Sequence, residues 1–187
     1  MWLFLRHAPM RGLAFALLVV GSACTTVTVT PQSAAPPKKA YHAVIVGLLE
    51  PKSPDLGYLN SYFHEGLVRR LKELKAFDTI IEAPATATAP DTFSVFGTVT
   101  EADKGDAVAR LLIGFGAGRE HVTAELELTS SDGAPLGHLE IRKAYSGGAG
   151  LGGASFIDME DLTKQVGEQA AQTVFDWSQG KQVGTAN

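Results

Sequence analysis

Cysteine is the scarcest residue type in this 187-residue chain: there is one, Cys24. A single thiol excludes an internal disulfide, and it excludes zinc sites of the Cys₂His₂ or Cys₄ type. Basic charge is also short. Sixteen Lys and Arg stand against 20 Asp and Glu, a net charge of −4. That balance offers no global basic footprint for nucleic acid. Catalytic spacing is missing too. Among His42, His64, His121 and His138 there is neither HExxH nor i, i+4 spacing, and no Gly-x-Ser-x-Gly elbow occurs. No metal, cofactor or nucleic-acid partner is expected, and the chain is not expected to be an enzyme. Apolar residues, by contrast, make up 45% of the chain and charged ones 19%, too hydrophobic a balance for a disordered chain. The length suits one domain with extensions.

The extension comes first. Arg6 and Arg11 form a positive n-region, Gly12 to Val20 an apolar h-region, and Gly21-Ser22-Ala23 the small residues before a cleavage site. This composition reads as a secretory signal peptide over residues 1–23. The apolar stretch is too short for a membrane span, which needs roughly 20 residues. The lone cysteine falls at the cleavage site. The run Gly21-Ser22-Ala23-Cys24 resembles a bacterial lipobox, although the position three before the cysteine, usually Leu, is Gly21. The resemblance implies that Cys24 is acylated and becomes the first mature residue. Because Thr25 rather than Asp follows, the same resemblance implies the inner leaflet of the outer membrane, facing the periplasm. Cleavage removes two basic residues and leaves 14 against 20 acidic, a charge of −6. Such a domain is not drawn to anionic headgroups, so the lipid would hold it at the membrane.

Residues 24–40 are Thr/Val-rich and then Pro-rich, and read as a lipid-anchored extended linker. A single domain is expected over 41–179, followed by a frayed tail over 180–187. Ala43-Val-Ile-Val-Gly-Leu-Leu reads as a strand buried on both faces. Leu59, Phe63, Leu67, Leu71 and Leu74 line one face of a helix. Thr79-Ile-Ile-Glu-Ala reads as a strand stopped by Pro84, and Phe93 to Thr100 as another. From His121 to Thr129, Val122, Ala124, Leu126 and Leu128 alternate with polar residues. Ser131-Asp132-Gly133 then turns the chain into a hairpin partner over Leu136 to Tyr145. Leu162, Val166, Ala170, Val174 and Trp177 mark a second amphipathic helix, with Ser155 and Asp158 as alternative N-caps. The order β-α-β-β-β-β-α predicts an α+β fold: a mostly antiparallel sheet of about five strands with two amphipathic helices packed on one face. The hairpin is able to bring His121 near His138 with Glu140 beside them; the reading adopted is of surface histidines in strands.

Ten of the 20 glycines lie between Gly114 and Gly153. One knot is Gly114-Phe-Gly-Ala-Gly-Arg119. The other, Ser146 to Ser155, matches Gly-x-Gly-x-x-Gly at Gly148, Gly150 and Gly153. No second strand follows to complete a dinucleotide-binding βαβ unit, so a crossover of tight turns is the preferred reading. The first knot sits in a connection, Asp103 to Arg119, that is too apolar for a solvated loop. Leu111, Leu112, Ile113 and Phe115 either tuck under the sheet as a short helix or form a contact surface for another subunit, a partner or a membrane.

Gly97-Thr-Val-Thr-Glu and Ala109-Arg-Leu-Leu-Ile-Gly-Phe-Gly-Ala-Gly-Arg resemble the signature of domain of unknown function 4410, a family of small bacterial envelope proteins, many of them lipoproteins. The alternating strand, the Asp132-Gly133 turn, the Ser146-Gly-Gly knot and the final helix follow in that family's order. The resemblance implies class and location, and no activity. The expectation is therefore a non-enzymatic, membrane-anchored periplasmic lipoprotein acting as an interaction or assembly module, with a protein partner or a homo-oligomer. Its lipid-attachment residue is Cys24, and its interaction residues are Leu111, Leu112, Ile113, Gly114, Phe115, Gly116, Gly118 and Arg119. The alternative is a small-ligand-binding or hydrolytic domain that uses the Gly-rich turns.

Overall fold

Strand β1 opens the fold at Cys24–Pro31, where Val27 and Val29 alternate with threonines. The computed structural model describes residues 24–31, 35, 37, 39–86, 89–105, 120–146 and 158–183. Strand β2 (Ala43–Leu48) leads through a single 3₁₀ turn (Pro54–Leu56) into helix α1 (Gly57–Leu74). Strands β3 (Thr79–Glu82), β4 (Thr92–Asp103), β5 (Glu120–Ser130) and β6 (Pro135–Ser146) follow, and helix α2 (Met159–Ser178) is last. Asp158 caps α2: its carboxylate accepts from the Glu160 amide at 3.2 Å.

Among the described residues, the strands form one six-stranded sheet in the order β1-β6-β5-β4-β2-β3. Strands β1, β6, β5 and β4 pair antiparallel, whereas β2 runs parallel to both β4 and β3. The expected sheet of about five mostly antiparallel strands is thus a mixed sheet of six. The parallel part has a local cause. Helix α1 carries the chain back along the sheet, so β2 and β3 must run the same way. The continuous apolar run of β2 suits that position, because Val44 and Val46 join the main core while Ile45, on the other face, is also fully buried.

Both helices cover one face. Phe63, Leu67 and Leu71 of α1, and Leu162, Val166, Ala170 and Val174 of α2, are fully buried against Phe93, Val95 and Val99 of β4, Leu126 and Leu128 of β5, and Leu139 and Ile141 of β6. Each such Phe, Leu, Ile or Val side chain stabilises the fold by about 1.5–3 kcal/mol of transfer free energy. At one end of this core, Tyr41, Phe77, Phe93 and Trp177 form a ring cluster with centroids 4.8–6.0 Å apart.

The expected linker over 24–40 is corrected in its first half. β1 pairs with β6 from Cys24↔Ser146 to Pro31↔Leu139, Val29 joins the core, and Trp177 Nε1 donates to the Ala35 carbonyl at 2.8 Å. The alternation of β-branched residues at 25–30 is a strand signal that the following prolines obscured. At the other end, the tail expected to fray from 180 includes Val183, which is buried.

Candidate functional site

The face of the sheet away from the helices carries most of the polar chemistry. Glu101 on β4, Thr123 on β5 and Arg142 on β6 stand directly across from one another on three adjacent strands. Thr123 Oγ1 and Arg142 Nη1 each donate to Glu101 Oε2 at 3.2 Å, and His121 Nε2 lies 3.1 Å from Glu101 Oε1. The bond from His121 is the chief reason the Glu101 carboxyl titrates below its ordinary range, with Thr123 and Arg142 adding to the effect. A carboxylate so engaged is a weak base at neutral pH and ties three strands together.

Further along the same face, Lys52 Nζ reaches both carboxylate oxygens of Glu125 at 2.7 Å. Glu125 stands opposite Glu140, a like-charge pair that Lys52 offsets, and His138 Nε2 lies 3.7 Å from Glu125. The two histidines of the hairpin do not meet. His121 is opposite Ala144 and His138 opposite Glu127, so roughly 20 Å of strand separates them. His42 pairs with Asp78 at 3.0 Å, at the base of α1. Among the described residues, no group of three or more His, Cys, Asp or Glu side chains is placed to hold a metal ion.

On the helix side, Lys143 sits half-buried on β6, and desolvation holds its ammonium below the usual lysine range, with Glu168 acting in the opposite sense.

The register also defines one end of the molecule. Cys24 of β1 pairs with Ser146 of β6, Tyr145 with Glu120 of β5, and His121 with Asp103 of β4. The start of β1, the end of β6, the start of β5 and the end of β4 therefore lie side by side, within roughly 15 Å at the usual strand spacing. The connection after Gly105 leaves from this end and returns at Glu120; the connection after Ser146 leaves from it too. The ring cluster with Trp177 and the Asp132-Gly133 turn mark the other end.

Of the residues singled out in the sequence, Cys24 is the first residue of β1. Leu111, Leu112, Ile113, Gly114, Phe115, Gly116, Gly118 and Arg119 lie outside the described residues, as do Gly148, Gly150, Gly153 and Ser155. Two glycines that the sequence did not single out do have a role. A Cβ on Gly66 of α1 would come within 2.1 Å of the Lys164 carbonyl oxygen, and one on Gly167 of α2 within 2.1 Å of the Phe63 carbonyl oxygen. The helices cross backbone to backbone at this pair. Among the described residues, no helix is long and apolar enough to cross a membrane.

A family model described as "Domain of unknown function (DUF4410)" matches residues 52–149. No curated protein matches the sequence. Among solved structures, the chain is similar to the PelC dodecamer from Paraburkholderia phytofirmans at 16% identity and a TM-score of 0.50, with 86% of this chain and 100% of that chain covered. A variant of the same dodecamer matches at 15% identity and a TM-score of 0.48, with 86% and 100% covered. A Xanthomonas campestris protein of family DUF330 matches at 9% identity and a TM-score of 0.39, with 81% and 94% covered. At these identities the likeness to PelC concerns the fold alone.

Proposed function

Because the chain belongs to the family described as domain of unknown function DUF4410, a name that carries no activity, we propose from its own residues that it is a non-enzymatic, membrane-anchored lipoprotein of the periplasm that serves as an interaction and assembly module of the cell envelope. Cys24 is the acylated residue, and the inner leaflet of the outer membrane is the surface it holds. Two or more acyl chains make such an anchor stable, since each buried methylene contributes about 0.8 kcal/mol.

One observation carries the reading. Cys24 stands at the same end of the sheet from which the connection containing Leu111 to Phe115 leaves and to which it returns. The described residues nearest the apolar stretch on either side, Gly105 and Glu120, thus lie at the end of the sheet that carries Cys24. The interaction residues of the proposal are Leu111, Leu112, Ile113, Gly114, Phe115, Gly116, Gly118 and Arg119. A second copy of the chain is the proposed partner, a reading supported by the fold shared with PelC, whose structure is a dodecamer.

The test has two parts. Intact mass and membrane fractionation of Cys24→Ser should show loss of the acyl mass and release from the membrane. A variant that stays membrane-bound overturns the anchor. Native mass spectrometry of the acylated chain should show a homo-oligomer that Leu112→Asp with Phe115→Asp weakens. An unchanged oligomer in a folded double variant overturns the assigned surface.

A further inference from the structure

We propose that copies of this chain join edge to edge, with β1 of one copy pairing antiparallel with β3 of the next. The inference rests on the self-assembly reading above and adds the surfaces that meet.

Strands β1 and β3 are the two ends of the sheet order, and among the described residues each is paired on one side only. Following the pairings across the sheet, β3, β2 and β4 run one way, β5 runs against them, β6 runs with them, and β1 runs against them again. A copy shifted sideways with its helices on the same face therefore brings its β3 alongside β1 in the antiparallel sense, the more stable pairing. The two edges are different patches of one chain, so the contact is heterologous and can repeat into a ring or a filament.

The chemistry of the edges agrees. Natural edge strands are protected from such pairing by charged side chains, bulges or covering loops. β1 reads Cys-Thr-Thr-Val-Thr-Val-Thr-Pro and carries no charged side chain over its whole length. β3 reads Thr-Ile-Ile-Glu, and its one charge, Glu82, is already held by Lys72 at 3.4 Å. Side-chain alternation matches as well. Ile80 packs toward the helix-side core, as Val27 and Val29 do on β1, so pairing extends that core from one copy to the next. Ile81, 37% exposed and one of few large apolar side chains in water among the described residues, falls on the other face, opposite the threonines of β1.

Cysteine cross-linking on the full acylated chain tests this, because acylation of Cys24 leaves the introduced thiol as the only free one. Thr26→Cys, Thr28→Cys and Thr30→Cys are each mixed with Ile81→Cys under mild oxidation, with Asp132→Cys as the control. The expected result is a disulfide-linked dimer from at least one β1 variant with Ile81→Cys, none from the control, and a ladder of higher species when both cysteines are in one chain. An oligomer by native mass with no β1–β3 cross-link in any register overturns the edge pairing and leaves self-assembly standing. A single-subunit native mass at all concentrations overturns both. Circular dichroism and thermal melting of each variant establish that the loss of a cross-link is not loss of fold.

Discussion

Asn60 shows how much a single buried carboxamide does in this fold. It sits on the buried face of α1 between Leu59 and Phe63, where a leucine would suit the periodicity. Its Oδ1 accepts from the Val99 amide at 2.8 Å and its Nδ2 donates to Thr98 Oγ1 at 3.2 Å. The partners lie where the β4–β5 register slips, between Val99 and Glu101. Strand β2 ends at Leu48, opposite Gly97, so the Val99 amide lies beyond the last partner on that side of β4, and Asn60 supplies one from the helix. Asn60→Ala is expected to lower stability by about 1–3 kcal/mol, the cost of leaving a buried donor unsatisfied, read as a lower urea midpoint at unchanged slope. Nothing in the sequence announces this, because the amide in need lies 39 residues further on. The engaged state of Glu101 was equally hidden: Thr123 and Arg142 reach it from two other strands.

At the scale of elements, the helices were readable because their signal is local. Leu59, Phe63, Leu67 and Leu71 repeat at the helical period, and all are buried; Leu74, last in the series, is only partly so. The close crossing of α1 and α2 was not readable. A glycine in a helix usually costs about 1 kcal/mol relative to alanine, so Gly66 and Gly167 look replaceable by propensity alone. Their neighbours decide otherwise, since the carbonyl oxygens of Lys164 and Phe63 occupy the space a methyl group needs. Gly66→Ala and Gly167→Ala are each expected to destabilise the protein by about 2 kcal/mol or more, as overpacking against backbone does, despite the gain in helix propensity. Thermal unfolding checks this; a rise in melting temperature would show that the helices can separate without loss. The glycine clusters at 114–118 and 147–153 drew attention in the sequence by their density, whereas these two act through position.

For the whole molecule, the decisive feature is where the folded unit begins. A Pro-rich tether would leave stability unchanged when removed. Here β1 covers the edge of β6, Val29 is buried, and Ala35 accepts the hydrogen bond from Trp177. A chain starting at residue 36 is therefore expected to lose about 2 kcal/mol or more relative to one starting at residue 24, the burial of one valine and one paired indole, and to melt at a lower temperature. Equal melting of the two chains would return residues 24–35 to the role of linker. Helix spans, the hairpin about Asp132-Gly133, the apolar stripe of each element and the α+β class could be read along the chain, because each depends on residues within a few positions of one another. The parallel pairing of β2, the addition of β1 as a sixth strand, the separation of His121 from His138 and the two edge strands that, among the described residues, pair on one side only could not. They depend on which way the chain returns and which strand it meets, and contacts between residues far apart in sequence decide that only when the sheet assembles.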